Sequence, residues 1–216
     1  VLGGLGLTYY AMGNYPEAIA CSHQSMTIAR QILDRPTERQ ALGNLGNAYR
    51  HLDDFPRAIV YKHQSLEVAR EIGDRRGEMA ALNNLGMAYK AMGDVLQALD
   101  HYQESLTIAR ELRDVQVEGQ VLRNMGNAYH SMGNYSQTVF CYEQLLTIAR
   151  QMPDRHTEAQ ILRNLASACY TMGDTLKAIA YHQQRLAIAR CLEDRRLEEQ
   201  ALDSLAVIHD SLGHYM

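Results

Sequence analysis

The sequence predicts an all-α fold, a right-handed superhelical solenoid of antiparallel helix pairs. The same residues return every forty positions, and each unit of forty residues places its apolar side chains at helical spacing. The hexapeptide NLGNAY at Asn44 returns as NLGMAY at Asn84, as NMGNAY at Asn124 and as NLASAC at Asn164. Because a single helix pair cannot bury its apolar face alone, such units stack and share a core.

The period of forty is kept without an insertion along the whole chain. The recurring residues are a leucine, a small residue four positions later, an Ala-Arg pair and an aspartate, as in Leu42, Gly46, Ala69, Arg70 and Asp74. Residues 1–216 are therefore predicted to form a single array of about five and a half units, cut from a longer protein.

Each unit is predicted to contain two helices, which gives eleven helices in all. In the second unit, the first helix carries an apolar stripe of Leu42, Leu45, Ala48, Tyr49 and Leu52. Gly46 is a poor helix former within this stripe, so its recurrence predicts that another helix approaches closely there.

The helix boundaries are predicted from turn and capping residues. Asn14, Asp94 and Asn134 suit the N-cap of a second helix, and each is followed by Glu or Gln three residues later. The second helix of the second unit is expected to end near Gly73, with Asp74 capping the next helix.

The stretch NLGNAYRHLDDFPRAIVYKHQSLEVA, residues 44–69, resembles a tetratricopeptide repeat. It has Leu-Gly and Ala-Tyr in the first helix and Ala-Ile in the second. The period of forty is similar to that of the arrays in Partner-of-Inscuteable-type G-protein signalling modulators and of those beside caspase-like CHAT domains. Cys169, His209 and Thr138 depart locally from the pattern of the other units.

This resemblance implies a peptide-binding groove along the first helices of the units. Carried onto this sequence position by position, the peptide-binding residues are Gln40, Asn47, Arg50, Asn83, Lys90, Gln120, Arg123, Asn127, His130, Gln160, Arg163, Ser167 and Tyr170.

The groove positions are basic although the chain is acidic. The net charge is -4, whereas the groove of the four middle units contributes Arg50, Lys90, Arg123 and Arg163 and no acid. This contrast predicts an acidic, extended or partly helical peptide as the ligand. The alternative interpretation of these basic residues is that they form an ordinary solvated helix face.

The spacing of two of these arginines makes the prediction more specific. Arg123 and Arg163 occupy equivalent positions about 10 Å apart. Two carboxylates about three residues apart in an extended peptide could therefore bind both.

Two further columns of polar residues have structural interpretations. Asn44, Asn84, Asn124 and Asn164 either hold neighbouring backbone or bind the peptide backbone as a ladder. Arg30 lies four residues before Asp34 near a helix end, where an exposed ion pair and the helix dipole explain it without a ligand.

Other functional classes find no support in the sequence. The acidic net charge argues against nucleic-acid or anionic-membrane binding, and no apolar run is long enough to span a bilayer. The histidines and cysteines lack zinc spacing, and nucleotide-binding and hydrolase motifs are missing. We therefore expect no catalytic role, no cofactor and no metal.

The four cysteines, Cys21, Cys141, Cys169 and Cys191, form no CxxC pair. They are expected to be small buried or half-buried thiols in the reducing cytoplasm.

The leading functional hypothesis is a protein–protein interaction scaffold that binds an acidic peptide, with a link to G-protein signalling or spindle orientation if the resemblance extends to function. The alternative is a sensor or regulatory array of a larger protein that carries a CHAT-type protease or another effector domain. Self-association through the cut ends is a third hypothesis.

Overall fold

The computed structural model describes residues 2–213 and contains eleven α-helices and no strand within that range, as the sequence predicts. The predicted array also includes residues 1 and 214–216, which lie outside the described residues. The helices form two compact units, the first ending at Asp114 and the second beginning at Val115. The continuity of one array across both units, and its right-handed superhelix, stay predictions.

The first unit contains six helices in which each packs against the next. They are α1 (Leu2–Ala11), α2 (Tyr15–Gln31), α3 (Arg35–His51), α4 (Phe55–Glu71), α5 (Arg75–Ala91) and α6 (Val95–Glu111). First helices of neighbouring repeats also contact each other, α1 with α3 and α3 with α5.

The second unit contains five helices with the same order of packing. They are α7 (Val115–Ser131), α8 (Tyr135–Ala149), α9 (Arg155–Thr171), α10 (Thr175–Cys191) and α11 (Arg195–Gly213).

Every described helix connection except α8–α9, which passes through Pro153, turns through one residue in the left-handed region, and an Asp or Asn follows that residue. Gly73 has φ +69°, and Asp74 then accepts a hydrogen bond from the Gly77 backbone N–H at 2.8 Å. Asp94 and Asn134 cap their helices in the same way, as predicted. Asn14 occupies the predicted N-cap position of α2, but its side chain makes no capping hydrogen bond.

The core lies between the two helices of each pair and, within each unit, between successive pairs. Leu42, Leu45, Ala48 and Tyr49 are buried as predicted, with exposures from 0% to 8%. Leu52 does not belong to this stripe: α3 ends at His51, so Leu52 follows the helix and is 46% exposed.

A buried glutamate joins neighbouring repeats at Glu38, Glu78 and Glu158, and this corrects the interpretation of Arg30. Asp34 caps α3, and Arg30 instead donates from Nε to Oε1 of Glu38 at 2.7 Å. Arg35 binds the other oxygen of Glu38 at 2.6 Å, and Glu38 is 3% exposed. We call this arrangement the glutamate clamp; Glu78 and Glu158 are each bound by two arginines in the same way. The ion pair is therefore half-buried and joins two helices.

Burial alone would raise the pKa of Glu38. The hydrogen bonds from Arg30 and Arg35 outweigh burial and hold the pKa of this carboxyl below its ordinary value. The glutamate clamp is thus ionised at neutral pH and fixes the end of α2 to the first turn of α3.

Candidate peptide groove

In the first unit, the predicted groove residues differ in how far their side chains are accessible. Gln40 is exposed, and Asn47, Arg50 and Lys90 are half-buried. Asn83 is only 7% exposed, so its amide is not presented at the surface, and we omit it from the groove proposed below.

A buried lysine lies directly beneath the groove of the first unit. Lys62 on α4 is 3% exposed, and its Nζ donates to the Gly43 carbonyl and to Oδ1 of Asn47, both at 2.7 Å. Burial, with smaller contributions from the charges of Arg50 and Arg39, lowers the pKa of Lys62 to about 7. Asn47 is therefore already occupied by a partner from the same repeat.

The side chain at the Lys62 position explains the recurring glycine of the first helix. A Cβ added to Gly46 would lie 2.7 Å from Cε of Lys62, and one added to Gly86 would lie 2.5 Å from the ring of Tyr102. The predicted close approach is confirmed, and the approaching group is a side chain of the second helix in the same repeat.

In the second unit, the predicted groove residues are all exposed: Gln120, Arg123, Asn127, His130, Gln160, Arg163, Ser167 and Tyr170. All of them except Gln120 border two cavities that share Arg163 and Asn164. The first, which we call the α7–α9 cleft, has a volume of about 390 Å³ and is lined by Arg123, Asn127, Gln160, Arg163 and Asn164, among others.

The second cavity, which we call the α9–α11 cleft, has a volume of about 630 Å³. His130, Arg163, Ser167 and Tyr170 line it, together with Asp203 of α11. The groove predicted for the middle repeats contains no acidic residue, and the first acidic residue appears where α11 lines the α9–α11 cleft.

Tyr142 of α8 connects the polar groups of the α7–α9 cleft, and the sequence interpretation missed it. Its hydroxyl donates to Oδ1 of Asn127 at 2.5 Å. Burial raises the pKa of Tyr142, while its bond with Asn164 and the charges of Arg123 and Arg163 offset part of the rise. Arg123, Arg163 and Tyr142 line the same cleft. The column of Lys62, Tyr102, Tyr142 and His182 at forty-residue spacing was the available signal.

The asparagine column does not behave as one ladder. Asn84 donates from Nδ2 to the Ala80 carbonyl of its own helix at 2.8 Å, which is a structural role. Asn164 instead lines both clefts of the second unit. The structural interpretation thus holds for Asn84, and peptide binding by Asn164 stays a prediction.

Other expectations concern thiols, metals and membranes. Cys21, Cys141 and Cys169 are buried, as expected, whereas Cys191 is exposed and departs from the expectation. Within residues 2–213, no group of three or more His, Cys, Asp or Glu side chains could hold a metal ion. None of the described helices is both long enough and apolar enough to cross a membrane.

Solved structures with this fold belong to several kinds of protein. BtubC (BKLC) from P. vanneervenii has a TM-score of 0.79 and 20% identity, and the match covers 89% of this chain and 80% of that chain. The STAND protein with a tetratricopeptide repeat sensor from Pyrococcus horikoshii has a TM-score of 0.77 and 21% identity. That match covers 96% of this chain but 32% of that chain, so this chain spans about a third of its length.

A Rap protein complexed with Competence and Sporulation Factor has a TM-score of 0.67 and 16% identity, with 100% of this chain and 64% of that chain covered. At these identities the likenesses establish the fold alone. No curated protein shows significant similarity to the sequence.

The tetratricopeptide repeat family profile matches four overlapping segments, residues 1–71, 37–111, 77–151 and 117–191. These segments cover most of the chain and coincide with helix pairs of the structure. The chain therefore belongs to the tetratricopeptide repeat family.

Proposed function

We propose that this chain is a protein-interaction scaffold whose second unit binds an acidic, extended peptide along its first helices. The observation that carries the proposal is that Arg123 and Arg163 line one cleft together with the amides of Asn127, Gln160 and Asn164. Guanidinium groups bind carboxylates with directional hydrogen bonds, and amides bind peptide backbone. The scaffold proposal assigns the chain no catalytic step.

The charge of this cleft supports an anionic ligand. Arg123 and Arg163 are exposed, and the ion pairs formed in the described part of this unit involve other cations, such as Arg150, Arg155 and Arg190. No acidic residue lines the α7–α9 cleft within residues 2–213. Both guanidinium groups are thus available to a ligand.

The spacing of the two arginines constrains the ligand sequence. Equivalent positions of stacked repeats are about 10 Å apart. A peptide in the polyproline II conformation advances about 3.1 Å per residue with about three residues per turn, so side chains three residues apart point the same way at about 9 Å. The preferred ligand therefore carries acidic residues at every third position.

A relative of the same fold supports a ligand-binding role. The Rap protein was solved in complex with Competence and Sporulation Factor, which makes ligand binding by such a helical array a reasonable model for this chain. The chemistry of the ligand proposed here comes from the α7–α9 cleft of this chain.

The test is a titration with an acetylated, amidated peptide that carries glutamate at every third position, compared with the same peptide carrying glutamine. We expect the glutamate peptide to bind more tightly and its affinity to fall as salt rises. Arg123→Ala and Arg163→Ala should each weaken binding about ten- to hundredfold, the range for a lost charge-assisted hydrogen bond.

Lys177→Ala is the matched control, because Lys177 is an exposed cation of the same unit that lines neither cleft. It should leave the affinity nearly unchanged. Equal affinity for the two peptides, or equal losses in all three variants, would show that the groove assignment is wrong.

A second candidate function is a sensor array within a larger protein, such as one with a CHAT-type protease or another effector domain. The observation in its favour is the likeness to the STAND protein with a tetratricopeptide repeat sensor, in which the matching segment makes up 32% of the chain. The encoded sequence beyond residue 216 separates the two: an effector domain would favour the sensor, and G-protein-binding motifs would favour the scaffold.

A further inference from the structure

A further cavity of the second unit lies beside the α7–α9 cleft, between the beginnings of α7 and α9 and the end of α8. Its volume is about 420 Å³, and Gly119 and Gln120 line it. We call it the Gly119 pocket. Arg123, Leu145 and Thr157 line both this pocket and the α7–α9 cleft. A ligand group that binds Arg123 in the cleft therefore lies next to the Gly119 pocket.

The Gly119 pocket is largely apolar and reaches from the surface to the core. Val115 and Met152 line it near the surface, and each is 41% exposed. Leu145 and Ala149 line its inner part with exposures of 3% and 4%, and Ile148 is half-buried. Covering such concave apolar surface with an apolar group removes it from water, which is favourable. The pocket is thus accessible to a ligand and suited to an apolar one.

The missing side chain at Gly119 leaves this space open. In the first unit the equivalent residues are long: Arg39 is half-buried and Met79 is 4% exposed. A Cβ added to Gly119 would lie 3.4 Å from Cδ1 of Leu145 and 3.6 Å from Cγ2 of Ile148, which are ordinary contact distances. Packing therefore does not require glycine here, although glycine lowers the stability of a helix interior.

The acidic residue of the Gly119 pocket is already bonded within its own helix turn. Thr157 donates to Asp154 from its backbone N–H at 3.1 Å and from its hydroxyl to Oδ2 at 2.5 Å. In the first unit Gly77 stands at the position of Thr157, and Oδ2 of Asp74 pairs instead with Nε of Arg39 at 2.8 Å. The Thr157 hydroxyl thus uses the oxygen that a cation binds in the first unit. This favours a neutral, apolar occupant over a basic one.

We infer that the Gly119 pocket binds one long apolar side chain, methionine or leucine, of the acidic peptide whose carboxylate binds Arg123. This inference rests on the proposed function and adds an apolar residue to the ligand sequence. Gly119 lies four residues before Arg123, about 6 Å along α7, a distance that an extended peptide spans with about two residues. The ligand therefore carries the apolar residue at a position between two of its glutamates.

The first test is a scan on the wild-type chain. It starts from the glutamate peptide with serine at every intervening position, and one serine at a time is replaced by methionine. At one position or more, methionine should tighten binding by about tenfold, the effect of burying most of an apolar side chain. Arginine at that position should gain less, because Arg123 repels it and Thr157 already bonds Asp154. An equal or larger gain from arginine would overturn the inference.

The second test closes the pocket with Gly119→Met, which copies the residue present at Met79. In a cycle of two peptides and two proteins, the gain from methionine over serine should fall from about tenfold to less than about twofold. The control Lys177→Ala should keep the full gain. The midpoint of thermal unfolding of Gly119→Met without peptide should stay the same or rise, because methionine favours a helix more than glycine does. A gain that persists in Gly119→Met would place the apolar contact elsewhere and overturn the inference.

A readout on the wild-type chain covers the case in which the variant does not fold. The methyl resonance of Met152, observed by ¹H–¹³C NMR, should shift further at saturation with the methionine peptide than with the serine peptide, because Met152 lines the pocket. Equal shifts would contradict the inference.

These peptides also separate this inference from the proposed function. If the serine-containing glutamate peptide binds and methionine adds no affinity at any position, this inference fails and the proposed function stands. If no peptide of the scan binds in a glutamate-dependent way, both fail.

Discussion

The two units build their grooves from the same repeat but satisfy the cations differently. In the first unit, Lys62 donates to two oxygens of α3, and Arg39 pairs with Asp74 at 2.8 Å. In the second unit, Arg123 and Arg163 are exposed at a shared cleft, and Arg185 of α10 is buried without a carboxylate partner among the described residues. Position within the repeat therefore does not reveal which groove residues are available. What decides availability is the second-helix side chain beneath them.

The difference can be tested first at Lys62, where the largest effect on stability is expected. The folded-state pKa of Lys62, about 7, lies below the unfolded value of about 10.4. Between these values the unfolded chain holds a proton that the folded chain lacks, so this group makes the free energy of unfolding rise with pH. Lys62→Met should remove several kcal/mol of that rise, since each pKa unit corresponds to about 1.4 kcal/mol.

The measurement is denaturant unfolding of wild type and Lys62→Met across this pH window. Cysteine and tyrosine titrations are common to both proteins and cancel in the difference between them. Parallel stability curves would mean that Lys62 keeps its proton at high pH, and that the cation beneath the groove of the first unit is not held in the way described.

A smaller effect on the free energy of unfolding is expected when the recurring first-helix glycine is replaced by alanine, and it should differ between Gly86 and Gly126. A Cβ at Gly86 would lie 2.5 Å from the ring of Tyr102, whereas one at Gly126 would lie 3.2 Å from the ring of Tyr142. Overpacking costs about 1–3 kcal/mol, and alanine gains about 1 kcal/mol in helix propensity. Gly86→Ala should therefore lower the free energy of unfolding by about 1–2 kcal/mol, and Gly126→Ala should change it by less than about 1 kcal/mol.

Urea unfolding of both variants measures this difference. The naturally occurring Ala166, which is fully buried at the equivalent position, supports tolerance of a methyl group in the second unit. An equal cost at Gly86 and Gly126 would contradict the tighter packing described for the first unit.

The smallest effect is the free-energy cost of a non-glycine residue in the left-handed turn position. This cost should be similar in both units, because it depends only on the backbone of the turns. Leu33 has φ +58° and is 81% exposed, a conformation that glycine adopts more readily. Leu33→Gly should raise the free energy of unfolding by about 0.5–1 kcal/mol, the balance of left-handed strain and the added freedom of the unfolded chain.

Gly173→Ala provides the opposite change in the second unit, where φ is +83°. It should lower the free energy of unfolding by about 1 kcal/mol. Thermal and urea unfolding of both variants measure the pair. Opposite signs with similar magnitudes are expected, and a loss of stability in Leu33→Gly would show that the leucine side chain contributes packing at that turn.

The helices were predictable because local signals repeat without interruption. The period of forty, the turn residues and the caps such as Asp74 fix each boundary within the chain itself. The partner of Arg30 was not predictable from helical spacing. The hairpin brings Glu38, eight residues away, back against Arg30, whereas Asp34 at the favourable spacing is used as a cap.

The groove was only partly predictable for a related reason. Which first-helix residues are exposed depends on the side chains that reach up from the second helix, as Lys62 does toward Asn47 and Tyr142 toward Asn127. The pattern of first-helix residues alone does not show these second-helix partners. Reading the second-helix column at the same period would have shown that Arg185 replaces a serine or leucine.

The glutamate clamp has a consequence for how such a chain can grow. Each clamp combines an arginine from the end of one repeat with a glutamate and an arginine from the start of the next, as in Arg30, Glu38 and Arg35. A gene duplication or deletion in multiples of forty residues keeps these partners in register, so it changes the number of repeats without leaving a buried carboxylate unpaired. Groove residues can meanwhile be exchanged between repeats by recombination at the turns. Modules cut before the N-cap aspartate should therefore be interchangeable in designed arrays.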